Sequence, residues 1–262
     1  MNKKLEAFQR LLDIMDELRE KCPWDREQTF ESLRNNTIEE TFELVDAISE
    51  GDMPEIKKEL GDLLLHVVFY AKIADEQGEF DIADVANALC DKLVYRHPHV
   101  FADVHAHTPE KVSQNWEDLK QREKDRKGGV LSGVPKGMPP LVKAYRIQEK
   151  VAAVGFDWEK REDVWDKVKE EISEVDTEIR SGDRDKLESE FGDTLFALIN
   201  AARLYGVNPE AALEKSNKKF IRRFNHVEAR CKEAGKPIRD TSLQEMDRYW
   251  CEAKQTEKEK KE

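Results

Sequence analysis

The sequence predicts an all-α protein built from tandem-duplicated helical modules, and three observations carry that reading. Apolar residues recur at three- and four-residue spacing along most of the 262-residue chain. Hydrophobic residues make up 39% and charged residues 38%, which leaves narrow apolar stripes on wide solvated faces, rich in the Glu and Lys that favour helix. A set of acidic residues in the first half also returns in the second at a constant offset. No stretch alternates polar and apolar residues as a half-buried strand would.

The elements follow in chain order. Leu5, Phe8, Leu11, Met15 and Leu18 mark a first helix, and Ile38, Phe42, Val45 and Ile48 a second. Ile56, Leu60, Leu63, Val67 and Tyr70 mark a third, and Ile82, Val85, Leu89 and Leu93 a fourth. Gly51 separates the second from the third, Gly78 follows the third, and His97-Pro98 stops the fourth. Gly182 and Gly206 punctuate the second copy in the same way.

The duplication is explicit. Glu40, Glu43, Glu59 and Asp62 match Glu171, Glu174, Glu190 and Asp193, each pair 131 positions apart. Gly51-Asp52 and Gly61 match Gly182-Asp183 and Gly192 at that offset, and Ile48, Leu64 and Val68 match Ile179, Leu195 and Ile199. After a four-residue deletion, Lys92 and Arg96 match Lys219 and Arg223, while Trp116 and Lys120 resemble Trp250 and Lys254. Gly128 to Pro140, dense in glycine and proline, reads as the linker. The expected plan is a first module over 1–127, a linker over 128–140 and a second module over 141–262.

Composition excludes several classes. A net charge of −12 argues against nucleic acid as a partner, which would call for a basic face. One small polyphosphate remains admissible, because a divalent cation reverses the local sign. The amino terminus carries no apolar run of the signal-peptide kind, and Leu63 to Ala71, interrupted by His66, is too short to span a membrane. Cys22, Cys90, Cys231 and Cys251 show no CxxC spacing, which argues against a disulfide framework or zinc site. A cytoplasmic protein with no membrane partner is the expectation.

Glu40 and Glu43 stand three apart and share one helix face, as do Glu59 and Asp62 on the next helix. A tight turn at Gly51 would fold these helices antiparallel and bring the acidic pairs face to face. Four converging carboxylates repel one another unless a cation compensates them, and an oxygen-only ligand set suits Mg²⁺, with Mn²⁺ as a substitute. A capping box from Thr37 to Glu40 is the plain alternative, but Val168 stands at the equivalent earlier position of the second copy. Asp62 and Asp193, poor helix formers, also sit after glycines inside apolar segments. A di-iron carboxylate bundle would need Glu-x-x-His on two helices, and histidine stands three residues beyond none of these glutamates.

The ordered set Glu170-Glu171-Ile172-Ser173-Glu174, then Glu190-Phe191-Gly192-Asp193, resembles the signature of the MazG-type nucleoside triphosphate pyrophosphohydrolases in their two-domain bacterial form. Cys22-Pro23-Trp24-Asp25, Arg96 to Phe101, Val154 to Trp158 and Lys219 to Phe224 are similar to further segments of that form, so the resemblance spans nearly the whole chain. It implies four-helix-bundle-like domains completed by homodimerisation. It also implies Mg²⁺ dependence and cleavage of nucleoside triphosphates to a monophosphate and pyrophosphate. Carried over, Glu171, Glu174, Glu190 and Asp193 become metal ligands and the catalytic set. Lys219 and Arg223 become phosphate contacts, with Lys186 and Trp250 as further substrate-binding positions. Water would attack the α-phosphorus while one of the carboxylates accepts its proton.

Both copies keep the acidic set, with Glu40, Glu43, Glu59 and Asp62 as metal candidates in the first. They differ near the basic pair. The chain meets His97-Pro98 directly after Arg96 but can stay helical past Arg223, and Glu55 stands where Lys186 would be expected. The second copy is therefore read as the main catalyst, with the first serving dimerisation or regulation. Trp250 reads as a base or ribose stack or as a core anchor, and Trp24 and Trp158 as core. His97, His99, His105 and His107 read as a structural loop. Two other functions remain open: a silent helical module whose acidic faces bind a basic partner, and a dUTP or dCTP pyrophosphatase of the same superfamily.

Overall fold

The computed structural model describes residues 2–102, 108, 119 and 129–259. Among the described residues every regular element is helical. The chain divides into two compact units, residues 1–120 and 121–262. Trp116, Lys120, Gly128, His105 and His107, which carried sequence expectations, lie outside the described residues.

In the first unit, α1 (Lys3–Lys21) starts where the Asn2 side chain accepts from the Lys4 amide at 3.0 Å, filling one of the donors a helix start leaves free. The short α2 (Pro23–Glu27) leads to α3 (Phe30–Glu50), opened by a capping box between Thr29 and Ser32. The box therefore sits two turns before Thr37, which lies mid-helix and cannot cap Glu40. Gly51, at φ 72°, ends α3. Asp52 then caps α4 (Met53–Glu76) at once, so the two long helices pack antiparallel. A left-handed turn of this kind costs glycine little and other residues about 1 kcal/mol or more. α5 (Ile82–Arg96) opens with a second capping box, Asp81 with Asp84, and α6 (Pro98–Phe101) follows.

Met15, Leu33, Val68, Phe69 and Ile73 form the core of this unit, and Phe30 stacks on Tyr70 at 5.5 Å. Arg19 fastens α1 beneath it. Its guanidinium donates to the Glu76 carboxylate and to the Asp25 and Gln28 carbonyls.

In the second unit, residues 129–139 form turns rather than helix. The Lys143 ammonium donates to the Lys136 carbonyl at 2.7 Å. α7 (Pro140–Ala152) precedes α8 (Val164–Ser181), which ends at Gly182 with φ 75°. Asp183 caps α9 (Arg184–Leu204). The α8–α9 hairpin thus repeats the α3–α4 hairpin down to its glycine. Its core is built from smaller side chains: Val164, Val168, Ala197 and Ala201, with Leu204 against them. α10 (Pro209–Glu233) and α11 (Leu243–Glu259) form a further hairpin around Val227, Cys231 and Tyr249. That hairpin packs mainly on itself and on α7.

The apolar stripes that predict α3 and α4 do not all turn inward. Phe42, Val45, Ile48, Leu60, Leu64 and Val67 are exposed, as are Ile172, Ile179, Phe191, Leu195 and Leu198 on α8 and α9. Trp24 and Trp158, expected in the core, are 59% and 40% exposed. The interior places at the start of the acidic helices are taken instead by Phe30 and Leu33 in one unit and Val164 in the other.

Candidate functional site

The two-residue connection at Gly51-Asp52 sets α3 and α4 side by side, and i,i+3 spacing turns Glu40 and Glu43 toward Glu59. One carboxylate oxygen from each of these three lies within 4.8 Å of the others. Glu171, Glu174 and Glu190 make the same arrangement between α8 and α9. Each cluster sinks one member into the protein, Glu59 at 1% exposure and Glu171 at 5%. The aspartates stand just outside. Asp62 is half-buried one turn beyond Glu59, close enough to push Glu40 up, whereas Asp193 is exposed one turn beyond Glu190.

Burial and then the charges of Asp62, Glu43 and Glu59 raise the pKa of Glu40. Burial and then Glu171 and Glu190 raise that of Glu174. A carboxyl held up in this way signals crowding of like charge that a cation would relieve. The donor set contains only hard oxygens, and Glu59 keeps one buried oxygen, Oε2, without any hydrogen-bond partner. These residues fit a divalent ion such as Mg²⁺ better than a softer transition metal.

One lysine on each buried glutamate escaped the sequence reading. The Lys58 ammonium donates to Glu59 at 2.7 Å and to Glu55 at 2.8 Å, lowering the pKa of Glu59. In the second cluster, Lys167 meets Glu171 at 2.7 Å and Glu170 at 2.9 Å. Lys167 was within reach of the i,i+4 rule, though with Lys before Glu, the weaker order. Lys58 sits next to Glu59 in sequence, a spacing that gives no periodic signal. The two lysines occupy non-equivalent places in the repeat, so the offset could not reveal them either.

The clusters also differ in what surrounds them. In the first, Thr37 Oγ1 lies 3.0 Å from His66 Nδ1 and 2.7 Å from the Tyr70 hydroxyl, and burial keeps His66 from protonating easily. Val168, Ala197 and Ala201 stand at the matching places of the second. The first copy therefore places a hydrogen-bonded Thr–His–Tyr group where the second has apolar core side chains.

The basic residues lie on the α10–α11 hairpin. Lys219 is exposed. Arg223 donates to Glu257 Oε2 through Nε at 2.9 Å and through Nη2 at 2.7 Å, while its guanidinium lies 5.6 Å from the centre of the Trp250 ring. Trp250 is half-buried and 5.0 Å from Phe220. Arg222 also donates to Glu257, and the two arginines together hold that carboxyl below its usual range. In the first copy Lys92 is exposed and Arg96 half-buried. Lys186, in the first turn of α9, is exposed with its ammonium 3.6 Å from Asp183. His97 Nδ1 sits 2.6 Å from the Leu93 carbonyl at the end of α5, and the His99 ring lies tilted to it with centroids 5.6 Å apart.

These features define a helical module with a carboxylate cluster at its antiparallel hairpin, present twice in one chain. The model of the MazG nucleotide pyrophosphohydrolase domain matches residues 28–101 and 160–228, and the chain belongs to that family. It is 45% identical over 260 residues to the nucleoside triphosphate pyrophosphohydrolase of Escherichia coli (strain K12), covering 97% of this chain and 99% of that one. It is 43% identical over 250 residues to the nucleoside triphosphate pyrophosphohydrolase/pyrophosphatase MazG of Thermotoga maritima, covering 94% and 95%. The crystal structure of a mazG-related protein from Thermotoga maritima aligns with 44% of this chain and 99% of its own, at 24% identity and a TM-score of 0.39. No described helix is long and apolar enough to cross a membrane.

Proposed function

We propose that this chain hydrolyses nucleoside triphosphates to a nucleoside monophosphate and pyrophosphate, with Mg²⁺ held by the carboxylate clusters and the second copy as the main catalyst. The observation that carries the proposal is the convergence of Glu171, Glu174 and Glu190 within 4.8 Å. Their duplication in Glu40, Glu43 and Glu59 supports it, because a solvated acidic face has no reason to repeat such spacing. Lys186, which has no basic counterpart in the first copy, and the helix that continues past Arg223 favour the second as the working copy.

When bound, the cation would neutralise triphosphate oxygens and acidify a water molecule. The chain's own residues supply the rest. Glu171, Glu174 and Glu190, with Asp193 one turn along α9, would hold the ion. The water oxygen bonds to the α-phosphorus, the bond from that phosphorus to the oxygen bridging to the β-phosphorus breaks, and the proton of the water passes to one of these carboxylates. Lys219 and Arg223 would take the charge of the departing pyrophosphate, the arginine by exchanging Glu257 for phosphate oxygens. Lys186 and Trp250 complete the proposed substrate contacts. The apolar faces of α3–α4 and α8–α9 would be buried by a second copy of the chain, giving a homodimer with four-helix packing.

The test is to incubate the purified protein with each common nucleoside triphosphate, with and without Mg²⁺, and separate the products. Monophosphate and pyrophosphate formed only with metal is the expected result. Diphosphate and phosphate would place the attack at another phosphorus. Absence of any turnover would bring forward a silent interaction module, and turnover of dUTP or dCTP alone would indicate a base-specific relative.

A further inference from the structure

The carboxylate of Glu257, near the end of α11, is shared by two arginines that follow each other on α10. Its Oε2 accepts from Arg223 through Nε at 2.9 Å and Nη2 at 2.7 Å. Its Oε1 accepts from Arg222 Nε at 2.8 Å and lies 2.6 Å from Arg222 Nη2. Each guanidinium thus turns the fork formed by Nε and Nη2 onto one oxygen of the same carboxylate. The two arginines differ in depth. The Arg223 side chain is 17% exposed and flanked by the Trp250 ring, the Arg222 side chain is 62% exposed, and Glu257 stands between them at 21%.

A carboxylate meets a guanidinium in the same geometry as two oxygens of a phosphate, with less charge. Glu257 therefore takes the place on Arg223 that the pyrophosphate end of a nucleotide would need. Displacing it outright would strand a half-buried anion that both arginines hold below its usual pKa. Arg222 removes that obstacle. It keeps one oxygen of Glu257 while Arg223 lets the other go, so the carboxylate stays paired through the exchange. The sequence of the first copy keeps only part of this arrangement. Glu123 stands seven residues beyond Trp116, as Glu257 does beyond Trp250, but Tyr95 precedes Arg96 where Arg222 precedes Arg223. Glu123 lies outside the described residues. A carboxylate leaving Arg96 has no arginine at the matching place to receive it.

We propose that Glu257 is a placeholder for phosphate in the second copy and that Arg222 is the positioning residue that receives it, so that Arg223 reaches the triphosphate without leaving a bare carboxylate behind. The proposal rests on the pyrophosphohydrolase reading and adds two residues to its phosphate site.

The test is a double-mutant cycle on the full chain with Glu257→Gln, Arg222→Ala and both together, each read when its circular dichroism matches the native chain. The readouts are KM and kcat for ATP with Mg²⁺, and the Kd of pyrophosphate with Mg²⁺ by isothermal titration calorimetry. Glu257→Gln removes the competing charge and keeps the shape. KM and the pyrophosphate Kd should both fall about two- to fivefold, the scale of one partly exposed ion pair, with kcat kept within a few-fold. Arg222→Ala leaves Glu257 on Arg223 alone and should raise both values by a similar factor. That rise should shrink in the Glu257→Gln background, where no carboxylate remains to be received. A KM or Kd raised by Glu257→Gln overturns the proposal, because the carboxylate would then orient Arg223 rather than hold its place. Unchanged values overturn it too. So does an Arg222→Ala effect of equal size in both backgrounds, which would make Arg222 a phosphate contact in its own right. No turnover by the native chain overturns the pyrophosphohydrolase reading, and the calorimetric cycle then decides the exchange by itself. If Glu257→Gln does not fold, the arginine Nε–H NMR signals of the native chain with Mg²⁺ and pyrophosphate decide: a shifted Arg223 signal beside a retained Arg222 signal supports the exchange, and an unshifted Arg223 signal overturns it.

Discussion

Among single residues, Glu174 reports most directly on the charge crowding of the site. Burial and the neighbouring Glu171 and Glu190 raise its pKa, so the native state holds this proton more tightly than the unfolded chain does. Below the ordinary carboxylate pKa, about 4.3, both states are protonated and nothing is lost. As pH climbs through that value toward the raised one, the native state loses stability. Urea unfolding of metal-free protein between pH 4 and 8 should therefore show no gap between the native sequence and Glu174→Gln at the acid end. A gap favouring the variant should open as pH rises, and parallel curves would show that the cluster is not strained. The three glutamates were legible in the sequence because i,i+3 spacing and the offset of 131 both mark them. Lys58 was not, and Lys167 only through its i,i+4 spacing, because the chain neutralises its two buried glutamates from different helices and a repeat offset finds only what both copies share.

At the scale of elements, the helices and their glycine punctuation could be read from period and breakers, and Gly51 and Gly182 do adopt the left-handed turn. Which way the apolar stripes face could not. Periodicity gives a face without naming its partner, and here the same hairpins carry buried and exposed apolar rows. Two substitutions separate these rows. Phe69→Ala, in the core of α4, should cost about 3–5 kcal/mol, while Trp24→Ala, exposed on α2, should stay within about 0.5 kcal/mol. Equal losses in urea unfolding would mean that Trp24 is covered in solution. Gly192 lies inside α9 with open space where a Cβ would stand. In the isolated chain Gly192→Ala should then stabilise by about 0.5–1 kcal/mol. Destabilisation instead would show that another surface approaches the helix closely at that point.

For the whole molecule, the duplication divides one fold into two differently finished copies. The first closes its interior with Phe69, Tyr70 and His66. The second substitutes Asn200, Ala201 and Ala197 at those places and has a cleft of about 380 Å³ lined by Gln148, Phe196 and Asn200. The exposed rows on α8 and α9 make self-association an expected property. Leu195→Glu should shift the chain toward monomer in sedimentation velocity, and an unchanged distribution would leave that face unpaired. The expectation that the second copy carries the chemistry came from Lys186 and the uninterrupted helix after Arg223. The hydrogen bonds of Thr37 with His66 and Tyr70, which set the first copy apart, emerged only when the helices were in place. The measurement that tests the central claim most directly is the rate of pyrophosphate release from a nucleoside triphosphate with Mg²⁺, compared between Glu174→Gln and its counterpart Glu43→Gln. The account predicts that Glu174→Gln loses about two orders of magnitude or more with its helicity intact, while Glu43→Gln keeps most of the activity. Retained activity in Glu174→Gln, with Glu43→Gln inactive, would contradict it and move the working site to the first copy.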